Sequence, residues 1–152
     1  MISDLSVTLL ILAMSAGGAT PFTPPEKLLD AIEIKESSGR GAATPDGDDG
    51  AAIGSFQIHR AYWTDAMKAL GKNWPYSDAR IPWKARAATR AYIRHYARAA
   101  RRPDLEAMAR IHNGGPVGYR KPVTVQYWRE VRAIMKRGNS AVTQLQPDAP
   151  GT

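Results

Sequence analysis

The sequence lacks cysteine, and this absence excludes three kinds of chemistry at once. A chain without thiols forms no disulfide bonds, has no cysteine nucleophile and binds no zinc through thiolates. Histidine is scarce as well, with only His59, His95 and His112 among 152 residues. No two of them stand in a His-x-x-x-His or His-Glu-x-x-His pattern, so we predict that the protein has no metal site.

A second absence is that of a long apolar run. No run reaches the ~20 residues that span a membrane, but a shorter one, VTLLILAMSA at 7–16, precedes the small residues Gly17, Gly18 and Ala19. This pattern is typical of a signal peptide, although the segment before it carries Asp4 and no Lys or Arg. We predict that residues 1–19 are a signal peptide, that the protein is exported to the periplasm or the extracellular space, and that the mature chain has no stable membrane span.

Acidic residues are outnumbered, since 14 Asp and Glu oppose 21 Lys and Arg and give a net charge of +7. An anionic partner is therefore expected, and cell-wall polymers, anionic lipids and nucleic acids all meet that description. Arg86, Arg90, Arg94 and Arg98 recur every four residues and so form a stripe on one helix face. The stripe either is a solvated face or attracts acidic wall polymers. No base-reading motif accompanies it, so we expect no specific nucleic-acid partner.

The hydrophobic fraction of 43% and the charged fraction of 23% are those of an ordinary globular domain. Three prolines in residues 20–25 indicate a linker, and the polar residues 138–152 indicate a loose tail. Between them the apolar residues recur mostly with helical period. The segments with this period are 26–36, 60–70, 83–100, 103–112 and 124–136. Residues 37–58 are rich in Gly, Asp and Ser, so we predict a mainly helical α+β domain over 26–137 with a short β-hairpin or looped insert.

Glu36 is the first residue with a clear chemical implication. On a helix that begins near Pro25, it shares a face with Leu28, Leu29 and Ile32. A carboxyl on an apolar face is partly buried, and burial raises its pKa, so that it can remain protonated and act as a general acid. The alternative is that Glu36 caps the following loop or pairs with an arginine.

The loop after this helix offers the second carboxylate that glycosidic hydrolysis generally requires. Asp46, Asp48 and Asp49 lie within four positions, and a loop that folds back across a cleft could hold one of them ionised opposite a buried Glu. Aspartates in loops also serve in turns. The spacing alone does not choose among the three.

Several motifs around these residues resemble the invertebrate-type lysozymes, also called the destabilase family. They are Glu-Ser-Ser-Gly at 36–39, Gly-Ser-Phe-Gln-Ile at 54–58, Tyr-Trp at 62–63, His-Asn-Gly-Gly-Pro at 112–116 and Tyr-Trp at 127–128. Their order and spacing match over about residues 28 to 135. Animal members are rich in disulfides, so this cysteine-free chain looks more like a bacterial relative whose stability depends on packing.

The resemblance implies a lysozyme-like fold and hydrolysis of the β-1,4 bond between N-acetylmuramic acid and N-acetylglucosamine in peptidoglycan, by a monomer without a cofactor. It places the general acid on Glu36 and the second carboxylate on Asp48. The distance from Glu36 to Phe56 is about one residue shorter than the family pattern, which leaves Asp46 and Asp49 as alternatives. The candidate saccharide-binding residues are Gln57, His59, Tyr62, His112, Asn113 and Gly114.

Three other activities are compatible with parts of this pattern. A lytic transglycosylase would cleave the same bond with one Glu and leave an anhydro sugar. A non-catalytic module would bind the cell wall or another polyanion through the arginine stripe. Some animal family members are also reported to cleave isopeptide bonds with a serine and a lysine; Ser55 is present, but His59 stands where the lysine is expected, so that activity is not assigned.

Overall fold

The computed structural model describes residues 20–144 of the chain, with side chains to Gly138. Five α-helices and a two-stranded antiparallel sheet make up the described domain. The helices are α1 (Glu26–Ser37), α2 (Arg60–Leu70), α3 (Pro82–Ala99), α4 (Leu105–Gly114) and α5 (Val125–Gln144), and the strands are β1 (Ala52–Ile53) and β2 (Ile58–His59). This is the predicted mainly helical α+β class with a short hairpin. The predicted signal peptide lies outside the described residues, and none of the described helices is long and apolar enough to cross a membrane.

The helix ends follow from local chemistry. Asp104 precedes α4 and its carboxylate accepts the backbone N–H of Ala107 at 2.9 Å, which satisfies one of the free donors of the first turn. Gly71 ends α2 in the left-handed conformation, with φ of 63°. The predicted segment 60–70 ends just before this glycine, whereas the predicted segment 103–112 begins two residues before α4.

The core lies where all five helices and the hairpin meet. α1 buries Leu28, Leu29 and Ile32 completely, and the hairpin contributes Phe56 and Ile58. The buried stripe of α3 is rich in alanine, whose small side chain lets neighbouring helices approach closely; its members are Ala85, Ala88, Ala91 and Ala97. Glu36 therefore continues a face of α1 that is fixed in the core.

The hairpin turns at residues 54–57, where the N–H of Gln57 donates to the carbonyl of Gly54 at 3.0 Å. Gly54 has φ of +74°, and a Cβ at this position would lie 2.0 Å from the carbonyl oxygen of Ala79. Only glycine fits such a conformation and such an approach. The turn is thus pressed against the segment that precedes α3.

A polar cluster joins the hairpin to two helices. Arg86 of α3 donates to Glu26, Asp30 and Glu33, which share one face of α1. The buried Ser55 hydroxyl donates to the other oxygen of Glu33 at 2.7 Å. These contacts link α1, α3 and the hairpin turn. Of these segments, α1 and the hairpin also contribute residues to the cleft described below.

The four arginines of the predicted stripe fall into two pairs with different surroundings. Arg86 and Arg90 both pair with Glu26 of α1, whereas Arg94 and Arg98 are exposed and have no acidic partner among the described side chains. The first half of the stripe stabilises the packing of α3 on α1. Only the second half remains available to a partner.

The chain outside the predicted domain differs from expectation at both ends. Residues 20–25 are not a free linker, because Pro24 is fully buried and Phe22 packs on the core. The last helix does not end near Gly138 but continues to Gln144. A glycine inside a helix costs only about 1 kcal/mol relative to alanine, and no proline follows it until position 147. The rest of the predicted tail lies outside the described residues.

Candidate active site

A cleft of about 380 Å³ brings together residues from the end of α1, the following loop, the hairpin, α2 and α4. Its lining residues are Glu36, Asp48, Ala52, Gln57, His59, Tyr62, His112 and Asn113. Every site residue predicted from the sequence lies here except Gly114. Because these positions span more than 70 residues of sequence, only the packing of the helices on the hairpin assembles them.

Glu36 lies in the last turn of α1 with 19% of its side chain exposed. Its Oε1 atom accepts a hydrogen bond from the Tyr127 hydroxyl at 2.7 Å, and the same atom lies 3.5 Å from Nε2 of His112. Its Oε2 atom has no hydrogen-bond partner among the described side chains. One oxygen is therefore held by the protein and the other is left to the cleft.

The predicted rise in the pKa of Glu36 is wrong for the ligand-free protein. Burial does raise the pKa, but the hydrogen bond and positive charge of His112, the Tyr127 hydroxyl and the charge of Lys35 together lower it below its usual value. The apolar face of α1 predicted the burial correctly. It contained no information on the two donors that stabilise the ionised carboxylate.

The hydroxyl of Tyr62 lies 2.9 Å from Nδ1 of His112. Burial raises the pKa of Tyr62 well above its usual range, so the phenol keeps its proton. The phenol therefore remains the hydrogen-bond partner of Nδ1, and Nε2 on the other side of the ring faces Glu36. Tyr62 itself is fixed by stacking on Tyr92, with ring centroids 3.5 Å apart.

Asp48 has the opposite environment to Glu36. Its side chain is 69% exposed, and Oδ2 lies 2.9 Å from Nε2 of His59 across the cleft. The backbone of Asp48 has φ of 48° and that of Asp49 has φ of 54°. Aspartate tolerates this left-handed region better than most residues do, yet two in succession are uncommon and store strain of order 1 kcal/mol each.

The other two loop aspartates do not line the cleft. Asp46 forms a two-pronged ion pair with Arg80, one prong being 2.9 Å, and this hydrogen bonding lowers the pKa of Asp46. Asp49 follows Asp48 in the short 3-10 turn Asp48–Gly50. Of the three loop aspartates, the structure brings only Asp48 into the cleft with Glu36.

Gln57 lines the cleft but also supports the loop. Its side-chain N–H groups donate to the carbonyls of Pro45 at 3.2 Å and Gly54 at 3.0 Å. Its side-chain oxygen approaches Gly47 so closely that a Cβ there would lie 2.2 Å away. Gln57 therefore attaches the loop that contains Asp48 to the hairpin turn.

Gly114, predicted to bind saccharide, lies outside the cleft. A Cβ at Gly114 would lie 2.6 Å from the Thr124 methyl group, so this glycine permits close packing of the end of α4 against the turn before α5. Ser55 is also outside the cleft, because it is buried and donates to Glu33. It is not available as a nucleophile in this arrangement.

Tyr127 belongs to the Tyr-Trp motif at 127–128, but no role in the site was predicted for it. It lies on the buried face of α5, and 93% of its surface is buried. The one available signal was its hydroxyl, because a buried tyrosine usually finds a hydrogen-bond partner. Within the described residues no group of three or more His, Asp or Glu side chains could hold a metal ion.

A short hairpin beside a mainly helical domain, with a carboxyl at the end of the first helix facing a cleft, defines a protein with the lysozyme-like α+β fold. The chain belongs to the Destabilase family, whose sequence profile matches residues 29–134. The family resemblance predicted from the sequence motifs is thereby confirmed.

Individual lysozymes agree with this assignment. Lysozyme 1 of Crassostrea virginica is 39% identical over 82 residues, which are 54% of this chain and 44% of that protein. A structure of Meretrix lusoria lysozyme in complex with Aeromonas hydrophila PliI matches with 34% identity and a TM-score of 0.62, covering 72% of this chain and 89% of that chain. The structure of Tapes japonica lysozyme matches with 33% identity and a TM-score of 0.59, covering 72% and 92%.

Proposed function

We propose that the protein is a muramidase that hydrolyses the β-1,4 bond between N-acetylmuramic acid and N-acetylglucosamine in peptidoglycan. The observation that carries this proposal is the pair of carboxyl groups in one cleft, Glu36 half-buried and Asp48 solvated. Glycosidic hydrolysis uses two carboxyls in two such environments. The function implies an exported protein, as expected from the apolar segment at 7–16.

Glu36 is the proposed general acid. Tyr127 holds its Oε1 atom, so Oε2 is the atom that presents a proton to the leaving glycosidic oxygen. The fixed position of Oε1 limits rotation of the carboxyl group and thereby orients Oε2 toward the cleft. Such orientation of the acid before the reaction is a large part of what an enzyme contributes to proton transfer.

Asp48 is the proposed second carboxylate. Its side chain is 69% exposed in the cleft. A carboxylate beside the anomeric carbon stabilises the oxocarbenium-like transition state, or one of its oxygens attacks the carbon directly. The contact of Asp48 with His59 and the support of its loop by Gln57 restrict where this charge lies. We expect His59, Tyr62 and Asn113, which line the same cleft, to contact the sugar.

The pKa of Glu36 predicts how the reaction depends on pH. A general acid must be protonated, and the lowered pKa means that the ligand-free enzyme loses this proton at a lower pH than an ordinary glutamate would. Replacing Tyr127 by phenylalanine removes a hydrogen bond that favours the ionised form. We therefore expect Y127F to raise the pKa of Glu36 and to move the alkaline limb of the kcat/KM profile to higher pH.

The profile is measured on a soluble peptidoglycan fragment, with Y119F as the control because Tyr119 contacts Arg102 and Arg120 rather than Glu36. An alkaline limb that stays in place, with an equal loss of rate at every pH, would contradict this role of Tyr127.

The proposed reaction is tested by its products. Purified protein is incubated with isolated cell walls, released reducing ends are counted, and the fragments are analysed by mass spectrometry. A muramidase releases fragments that end in reducing N-acetylmuramic acid. Anhydro ends would identify a lytic transglycosylase, and binding without any release would identify a wall-binding module.

A further inference from the structure

A second pocket, of about 510 Å³, lies against a different face of α2 from the cleft. His59 and Tyr62 line the cleft, whereas Arg60, Trp63 and Met67 line this pocket together with the segment that follows α2. Its volume is within the range of sites for small molecules and saccharide fragments.

The lining combines aromatic rings with positive charge. The half-buried Trp74 and Tyr76 offer ring surface, and Arg60, Lys68 and Lys72 supply cations, while no carboxylate lines the pocket. Lys68 is 3.8 Å from Asp65. In contrast, Arg60 and Lys72 have no acidic partner among the described side chains.

The charge of Arg60 is not explained by helix stability. Arg60 is the first residue of α2, where the helix dipole disfavours a cation, and its guanidinium lies 4.5 Å from the centre of the Tyr76 ring. A basic side chain held over an aromatic ring beside an open pocket is arranged to receive an anion that also has an apolar face.

The pocket shares a wall with the cleft. The Tyr76 hydroxyl lies 2.9 Å from the carbonyl oxygen of Ala51 and 2.7 Å from that of Ile58. The next residues along both strands, Ala52 and His59, line the cleft. The second pocket therefore adjoins the side of the cleft that His59 lines.

We propose that this second pocket binds an acidic saccharide, namely an N-acetylmuramic acid unit that carries its stem peptide. Trp74 and Tyr76 contact the apolar face of the sugar, and Arg60 and Lys72 pair with a carboxylate of the lactyl-linked peptide. The choice of this ligand rests on the proposed muramidase function. The pocket would hold a peptide-bearing strand beside the cleft and favour it over neutral chitin-like glycans.

The test measures binding by calorimetry in a Glu36→Gln background, which prevents turnover. The probe is the disaccharide of N-acetylglucosamine and N-acetylmuramic acid with a tetrapeptide, and the neutral comparison is chitotriose. We expect two probe molecules per chain. Adding R60Q and K72Q is expected to weaken one of the two sites at least ~10-fold, as charge-assisted hydrogen bonds are lost, and to leave chitotriose binding unchanged.

The matched control adds R129Q and R137Q, which remove the same charge from exposed positions of α5. The charge-conserving pair R60K and K72R should keep both sites, and equal melting temperatures verify that all variants fold. A single site in the parent, an equal loss in the α5 control, or tighter binding of adenosine monophosphate than of the probe would overturn the proposal.

The two proposals fail in different ways. If the wild-type protein releases no reducing ends but the second pocket still binds the probe, the muramidase proposal fails and the binding site stands. If the protein hydrolyses cell walls but R60Q with K72Q leaves probe binding unchanged, the muramidase proposal stands and the second binding site fails.

Discussion

Replacement of Glu36 by glutamine is expected to reduce hydrolysis of cell walls by about 10²–10⁴-fold, the usual contribution of a general acid. Glutamine keeps the shape of the side chain, and its amide oxygen can still accept the hydrogen bond from Tyr127 that the structure places on Oε1. The amide N–H is not acidic enough to protonate the leaving oxygen. The reducing-end assay at the pH optimum of the wild type measures the loss.

The control for this experiment is Glu130→Gln. Glu130, like Glu36, is a glutamate near Lys35. It forms an ion pair with Lys35 from α5 and does not line the cleft. It should retain activity near that of the wild type. An E36Q protein that melts at the wild-type temperature and lyses cell walls at the wild-type rate would remove Glu36 from its proposed role.

Replacement of Asp48 by asparagine is expected to lower kcat by about 10²–10³-fold. Losses of this size are typical when one group that stabilises the charge of a transition state is removed. The amide is nearly the same size and can still contact His59, but it has no negative charge with which to oppose an oxocarbenium-like centre. Steady-state kinetics on a soluble glycan separates this loss in kcat from weaker binding.

The neighbouring aspartates provide matched controls. Asp46→Asn weakens an exposed ion pair with Arg80, and such pairs contribute little to stability. Asp49→Asn changes a residue that does not line the cleft. Both variants should remain active. If D48N is active and D46N or D49N is not, the second carboxylate must be assigned to the other residue.

The helices were predictable because periodicity and capping are local properties. The predicted segment 60–70 is α2 itself, and Asp104 and Gly71 set ends that a few neighbouring residues specify. The end of α5 was missed because a single glycine, Gly138, does not stop a helix when no proline or left-handed turn follows it. Helix termination is decided by the competition between several weak preferences.

The sequence predicted most of the residues of the site, but not the hydrogen bonds between them. The motifs indicated Glu36 and His112, and burial of Glu36 followed from the apolar face of α1. The Tyr127 hydroxyl is 91 positions away from Glu36, and no periodicity indicates which buried tyrosine reaches a given carboxyl. The direction of the pKa shift depends on those donors, so the sequence predicted it wrongly.

The pairing of Arg86 with α1 was partly predictable from the sequence. Glu26, Asp30 and Glu33 recur with a spacing of four and three residues, which places them on one face of α1. This acidic face carries the charge opposite to that of the stripe. Two periodic faces of opposite charge predict that two helices pack together, and Arg86 lies at that contact.

The cluster of Arg86, Glu33 and Ser55 has a consequence for how the protein can be made and used. It joins α1, α3 and the hairpin through ion pairs and hydrogen bonds, in a chain that contains no thiol. Maturation therefore requires neither an oxidant nor a disulfide isomerase. We expect the domain to fold in a reducing cytosol and to keep its activity in strong reductants, conditions that inactivate enzymes held together by disulfides.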